Sequence, residues 1–181
     1  MAQEFFTSNF DETPLSNWVI NPALPAGTII TTCGTYRIVG GYNNFASGAT
    51  ASRSFTNLPS HYSARVKILF LKIDSWDSEV FTIKADGTTI LTSESFASTT
   101  DSALTGNICG MTIHNEAERT YSQAFSHSSS ALTILLSSNL NETPDSESWG
   151  FSKFELVLYE CDVSCKTCSG FGKNHLSFSY I

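Results

Sequence analysis

Charge is scarce in this sequence and basic charge scarcer still: only 15% of the 181 residues are charged, and ten Lys and Arg stand against seventeen Asp and Glu. No basic run exists. Binding to a phosphate backbone needs clustered Lys and Arg, so nucleic acid is excluded as a partner, and a net charge of −7 makes cations the more natural guests. No apolar stretch approaches the ~18–20 residues of a membrane-spanning helix. Met1-Ala2-Gln3-Glu4 lacks the charged and apolar regions of a signal peptide, so a secreted protein is expected to begin here at a mature or engineered terminus. Helical windows are broken by Ser, Thr, Gly or Pro within a turn or two. Catalytic signatures are missing as well. There is no Gly-x-Ser-x-Gly elbow, and His61, His114, His127 and His175 lie in Ser- or Asn-rich contexts that read as surface or edge positions. The one route to hydrolysis is a carboxylate pair such as Asp74 and Glu79 brought together in a cleft, as a glycoside hydrolase would need. The expectation is a non-catalytic protein.

What is present is aromatic and β-prone. Thirteen Phe, six Tyr and three Trp are scattered among Ser, Thr and Gly, the composition of strands that pack rings inward and show hydroxyls outward. From 63 to 73 the residues alternate, with Ala64, Val66, Ile68 and Phe70 on one side and Arg65, Lys67, Leu69 and Leu71 on the other, which predicts a long central strand. Residues 80–85 and 88–96 predict a hairpin closed by Asp86-Gly87. Further strands are expected at 27–33, 50–55, 121–127, 131–138 and 149–159. Many short strands separated by turn chemistry make an all-β, jelly-roll-like β-sandwich over residues 1–160, followed by a short cysteine-containing tail over 161–181.

The five cysteines speak to compartment. Cys33 and Cys109 are isolated and sit beside Gly34 and Gly110, where turns let strand ends meet; Cys161, Cys165 and Cys168 are too close together to need either of them. A Cys33–Cys109 disulfide is therefore expected, in a secreted or cell-surface protein. One thiol is left odd; the simplest expectation is a fragment of a chain that continues past Ile181 into a cysteine-rich region, and the alternative is a short, free-standing chain. Cys165-Lys166-Thr167-Cys168 also admits a zinc or redox reading, but a second ligand pair and a βαβ setting are both wanting. Asn141-Glu142-Thr143 is an acceptor triplet for glycosylation at Asn141.

Three polar segments are candidate sites. In Ile73-Asp74-Ser75-Trp76-Asp77-Ser78-Glu79, three carboxylates crowd into a connection between apolar strands, where they repel one another unless solvent or a cation intervenes. Calcium takes hard oxygen ligands in flexible number, so Asp74, Asp77 and Glu79 are its expected ligands, with Glu147 as a distant fourth. The plainer alternative is a solvated acidic turn with Trp76 packed on the sheet. Pro144-Asp145-Ser146-Glu147-Ser148-Trp149 is an acidic lead-in to the last strand and is expected to approach the Asp74 loop or residues 9–12 if that strand runs beside the first one, as jelly-roll ends commonly do. The glycine-rich segment 39–49 reads as a wide turn, not a nucleotide loop, and its Tyr42, Asn43 and Asn44, together with an exposed Trp76, are the expected contacts for a sugar.

Asn57-Leu58-Pro59-Ser60-His61-Tyr62, Lys72 to Glu79, Glu147-Ser148-Trp149-Gly150-Phe151 and Cys161 to Gly170 resemble secreted or surface proteins of ciliated protozoa. In that family a galactose-binding-like jelly roll precedes furin-receptor-like cysteine-rich repeats. Phe10-Asp11-Glu12 with Trp18, and the closing strand from Trp149 to Tyr159, are similar to galactose-binding-type jelly rolls, and the resemblance implies a structural calcium. The departure is residues 171–181, which carry no cysteine and read as a strand that could be lent to a neighbour or folded back on its own sheet. The expected function is a calcium-stabilised structural or adhesive module whose partners are other subunits, matrix components or copies of itself; a calcium-dependent carbohydrate-binding module is the alternative.

Overall fold

The computed structural model describes residues 2–7, 17–22, 29–97 and 104–160. Its strands are β1 (Ala2–Thr7), β2 (Val19–Asn21), β3 (Ile30–Cys33), β4 (Tyr36–Gly40), β5 (Thr50–Thr56), β6 (His61–Asp74), β7 (Asp77–Glu79), β8 (Phe81–Ala85), β9 (Thr88–Thr92), β10 (Phe96–Ala97), β11 (Leu104–Gly106), β12 (Glu116–Ser126), β13 (Ala131–Ser138) and β14 (Glu147–Glu160). The tail from 161, with its three cysteines, and residues 9–12 lie outside the described residues.

Two sheets face each other. One runs β11-β12-β6-β14-β4-β3, with β1 on the far half of β14; the other runs β2-β5-β13-β8-β9; β7 and β10 form a small ribbon. Strand β6 is the central strand expected from alternation: Ala64, Val66, Ile68 and Phe70 are all fully buried in the core between the sheets. Phe70 lies at the middle of an aromatic cluster, with ring centroids 4.3 Å from Phe81, 5.8 Å from Phe96 and 5.9 Å from Trp76. Rings of this size dominate core energetics through buried area and tilted or offset contacts.

The opposite face of β6 is also covered. Leu69, Leu71 and Ile73 pack with Ile38 and Cys33 in a second apolar cluster, closed by Tyr36, Tyr42, Ile108 and Cys109. The expected Cys33–Cys109 disulfide is present and staples the loop after β11 over this cluster across a sequence separation of 76. Strand β13 pairs with both β5 and β8, and the β8–β9 hairpin turns at Asp86-Gly87, both with positive φ (48° and 81°) as a tight primed turn requires.

Several boundaries differ from the sequence reading. Strand β12 begins at Glu116, and β14 begins at Glu147, so the acidic lead-in is itself paired to β6. Strand β4 occupies 36–40, and only the remainder of the glycine-rich segment forms the wide turn. His61 corrects the surface assignment, being 2% exposed. These segments carry charge or glycine that masks strand alternation, and pairing on both sides overrides the weak local preference.

Candidate functional site

The ladder between β6 and β14 sets the site. Glu147 stands directly opposite Asp74, and Ser75 donates from its backbone and its hydroxyl to the Ser146 carbonyl (3.2 and 2.9 Å). The chain then turns into β7, where Ser78, at a φ of +118°, separates Asp77 from Glu79, and the Glu79 carboxylate meets the Asp77 backbone N–H. Strand β10 holds β7 in place by pairing Phe96 with Glu79 and Ala97 with Asp77. One carboxylate oxygen from each of Asp77, Glu79 and Glu147 lies within 4.8 Å of the others.

Each acid in this trio has a different surrounding. Asp77 is exposed, Glu79 is 4% exposed and Glu147 is fully buried. Glu79 accepts from the Asp77 backbone N–H (2.5 Å) and from Asn141 Nδ2 (3.3 Å). Glu147 Oε2 accepts from the Glu142 N–H (3.3 Å), whereas its Oε1 is buried with no hydrogen-bond partner. Burial, and then the charge of Glu79, pushes the Glu147 carboxyl up to about 7. Burial also raises the Glu79 carboxyl, and its contact with Asp77 adds to the rise. An unpartnered carboxylate oxygen beside two other carboxylates is a high-energy arrangement unless a proton or cation lies among them.

A shared calcium fits the donor set. Oxygens bound at about 2.4 Å to one ion can be at most about 4.8 Å apart, and calcium accepts irregular arrangements completed by water and carbonyls. The residues able to hold it are Asp77, Glu79 and Glu147.

Asp74 does not join this trio, although its spacing grouped it there. Its φ is +65°, and its Oδ1 accepts the Met111 N–H at 2.8 Å. Gly110 is packed against it so closely that a Cβ there would meet Asp74 Oδ2 at 2.3 Å. Burial raises the Asp74 carboxyl to about 6, with the nearby Glu116 charge adding to the rise. Glu116 itself accepts from the Ile108 and Cys109 N–H groups, at 2.6 and 3.3 Å. Asp74 and Glu116 thus anchor the disulfide-stapled loop. A hydrolytic Asp74–Glu79 pair is not what β6 and β7 assemble.

Trp76 is a second correction. Its ring is fully buried and its Nε1 donates to the Ser148 carbonyl at 2.9 Å, so it ties β14 to the site from inside and offers no face to a sugar. Tyr42 is half-buried against the second apolar cluster. Asn44 donates to the Gly40 carbonyl (3.3 Å), and Asn43 is exposed, its N–H bound to Pro144 O at 3.0 Å. The wide turn is thereby joined to the segment that leads into β14 at Glu147. Asn141, of the glycosylation triplet, is exposed at the rim of the trio. Sequence reasoning missed the His61–His127 contact, whose members are 66 residues apart with no shared local signal.

No protein-family model and no curated protein matches the sequence. Solved structures do match. The K3 cleaved adhesin domain of Lys-gingipain from Porphyromonas gingivalis superposes with a TM-score of 0.52 at 12% identity, over 85% of this chain and 99% of that domain. Dimeric latent PorU from the same organism gives 0.51 at 10% identity over 78% of this chain. This chain spans only 12% of PorU. The CBM22-1 xylan-binding domain of Paenibacillus barcinonensis Xyn10C matches at 0.48 and 11% identity, over 89% of this chain and 97% of that domain. What the two Porphyromonas gingivalis structures share with this chain is the fold. The all-β jelly-roll sandwich stands; at such identities the chemistry of a site must be read from this chain's own residues.

Proposed function

We propose that the protein is a non-catalytic extracellular β-sandwich module stabilised by a calcium ion held between Asp77, Glu79 and Glu147. The observation that carries this reading is the buried, unpartnered Oε1 of Glu147 beside two further carboxylates. A cation there would neutralise the repulsion, join β7 to β14 and fix the end of the sandwich where the wide turn and the segment leading into β14 meet. The Cys33–Cys109 disulfide supports an oxidising, extracellular setting. In that setting Asn141 is a proposed glycan acceptor. The module's role is proposed as adhesive or structural, toward other subunits, matrix components or copies of itself.

A second reading is favoured by the bond between Asn43 N–H and Pro144 O. It brings Tyr42, Asn43 and Asn44 to the end of the sandwich that holds the trio, where calcium with open coordination positions, next to exposed Asp77, would accept sugar hydroxyls. Melting curves with calcium and with chelator test the first reading, because a ligand held only by the folded state stabilises by mass action. An unchanged curve refutes it. A glycan array with calcium-sensitive hits, lost on Asn43→Ala, supports the second.

A further inference from the structure

At His127, just after β12, the two sheets are joined by a chain of polar contacts. His61 Nδ1 lies 2.6 Å from the Pro59 carbonyl, His61 Nε2 lies 2.7 Å from His127 Nδ1, and His127 Nε2 lies 3.2 Å from Asp86 Oδ2. The two rings are 21° from parallel with centroids 4.9 Å apart, a nearly in-plane, head-on approach through their nitrogens. His61 belongs to β6 of the larger sheet, and Asp86 belongs to the β8–β9 turn of the smaller one. The imidazole side chain of His127 is 8% exposed and that of Asp86 49%, so the contact between the rings is shielded while the carboxylate end of the chain meets solvent.

The protons in this chain can be counted. The Pro59 carbonyl only accepts, so His61 Nδ1 carries a hydrogen. The close nitrogen pair needs one hydrogen between the rings, and the contact with the Asp86 carboxylate needs a third. Two neutral imidazoles carry two. If both rings are neutral, either two lone pairs face each other between the histidines, or the His127 lone pair faces the carboxylate. We propose that His61, His127 and Asp86 form a proton-operated latch between the sheets, closed when the pair of rings carries one extra proton and open at one contact when that proton leaves.

The surroundings suit this role. Asp86 Oδ1 is committed to the Thr133 N–H (2.8 Å), which leaves Oδ2 to answer His127. The His127 backbone N–H is held by the Tyr62 carbonyl (3.4 Å), and Phe125 meets the ring edge-on at 6.2 Å. Glu160 of β14 stands opposite His61 in the ladder and adds negative charge on that side. Asp86 and His127 also border a cleft of about 270 Å³ floored by Ile90 and Phe125, so opening the latch loosens one wall of it. By linkage, a fold that binds an additional proton loses stability as pH rises and that proton leaves.

The substitution Asp86→Asn gives a test with a reversal of sign. The carboxamide presents an N–H to His127 Nε2, so three hydrogen bonds become available to two neutral rings. With calcium saturating, the variant is expected to melt below the wild type at pH 5 and above it at pH 8, by about 2–4 °C in each direction. Nitrogen-15 spectra of the imidazoles of the wild-type chain, taken over the same range, should show His61 protonated at Nδ1 throughout and both histidines responding to a single shared proton. Parallel melting profiles for the two proteins, or two histidines that titrate independently with His61 protonated at Nε2, overturn the latch; the spectra decide the matter if the variant does not fold.

Discussion

Glu147 and Asp74 are direct partners across the β6–β14 ladder, yet their carboxylates serve different structures. Asp74, at positive φ, anchors the loop beneath the disulfide, and Glu147 joins Asp77 and Glu79. Two neighbouring buried acids are therefore raised by burial in separate surroundings, Asp74 to about 6 and Glu147 to about 7, and only Glu147 lies within reach of two further carboxylates.

Glu147→Gln should separate these responses. An amide removes the buried charge that the trio must otherwise neutralise, so the calcium-free variant is expected to be more stable than the calcium-free wild type at pH 8, by about 1–3 kcal/mol. It should gain little from added calcium. Urea unfolding in chelator and in calcium reads both effects.

Asp74 predicts a pH dependence whose sign is fixed. Its carboxyl is raised from 3.8 to about 6 by burial, so its contribution to stability is fully present below about 4 and is lost as pH rises through about 6. Asp74→Asn should flatten that part of the profile, by up to roughly 2–3 kcal/mol between pH 4 and pH 7, measured by denaturant midpoints at each pH. A variant profile that falls as steeply as the wild type's would assign the loss to other groups.

The disulfide closes a long loop, and removing it by Cys33→Ala with Cys109→Ala should reduce stability by about 4 kcal/mol in the loop-entropy account. Protection of the Ile108, Cys109 and Met111 amides against hydrogen exchange should fall first, because their acceptors Glu116 and Asp74 lie under the stapled loop. Loss of protection spread evenly over the sandwich would contradict that local role.

Trp76→Ala should cost about 3–5 kcal/mol, as deletion of a fully buried ring. Trp76→Phe keeps most of the apolar contact and loses the donor to Ser148 O, for about 1–3 kcal/mol. Chemical denaturation measures both, and a surface tryptophan would show neither.

The sequence showed most clearly what local periodicity controls. Strand β6 was legible because Ala64, Val66, Ile68 and Phe70 alternate with residues of the other face, and the hairpin at Asp86-Gly87 because primed turns demand those residue types. The approach of Glu147 to the acidic connection was one of two placements open to the lead-in of the last strand, and the β6–β14 register realises it. Asp74 was grouped with the wrong acids because spacing along a chain does not disclose a positive φ that redirects a side chain. Trp76 was misplaced because polar neighbours on either side conceal a ring that register carries into the core. His61 and His127 meet only through the packing of β6 with β12, which no local pattern encodes.

Isothermal titration of calcium into wild type and Glu147→Gln at pH 7.5 tests the proposed cation site most directly. One ion bound per wild-type chain, with binding abolished in the variant, is the predicted result; no heat with the wild type, or equal affinity in the two proteins, would contradict it.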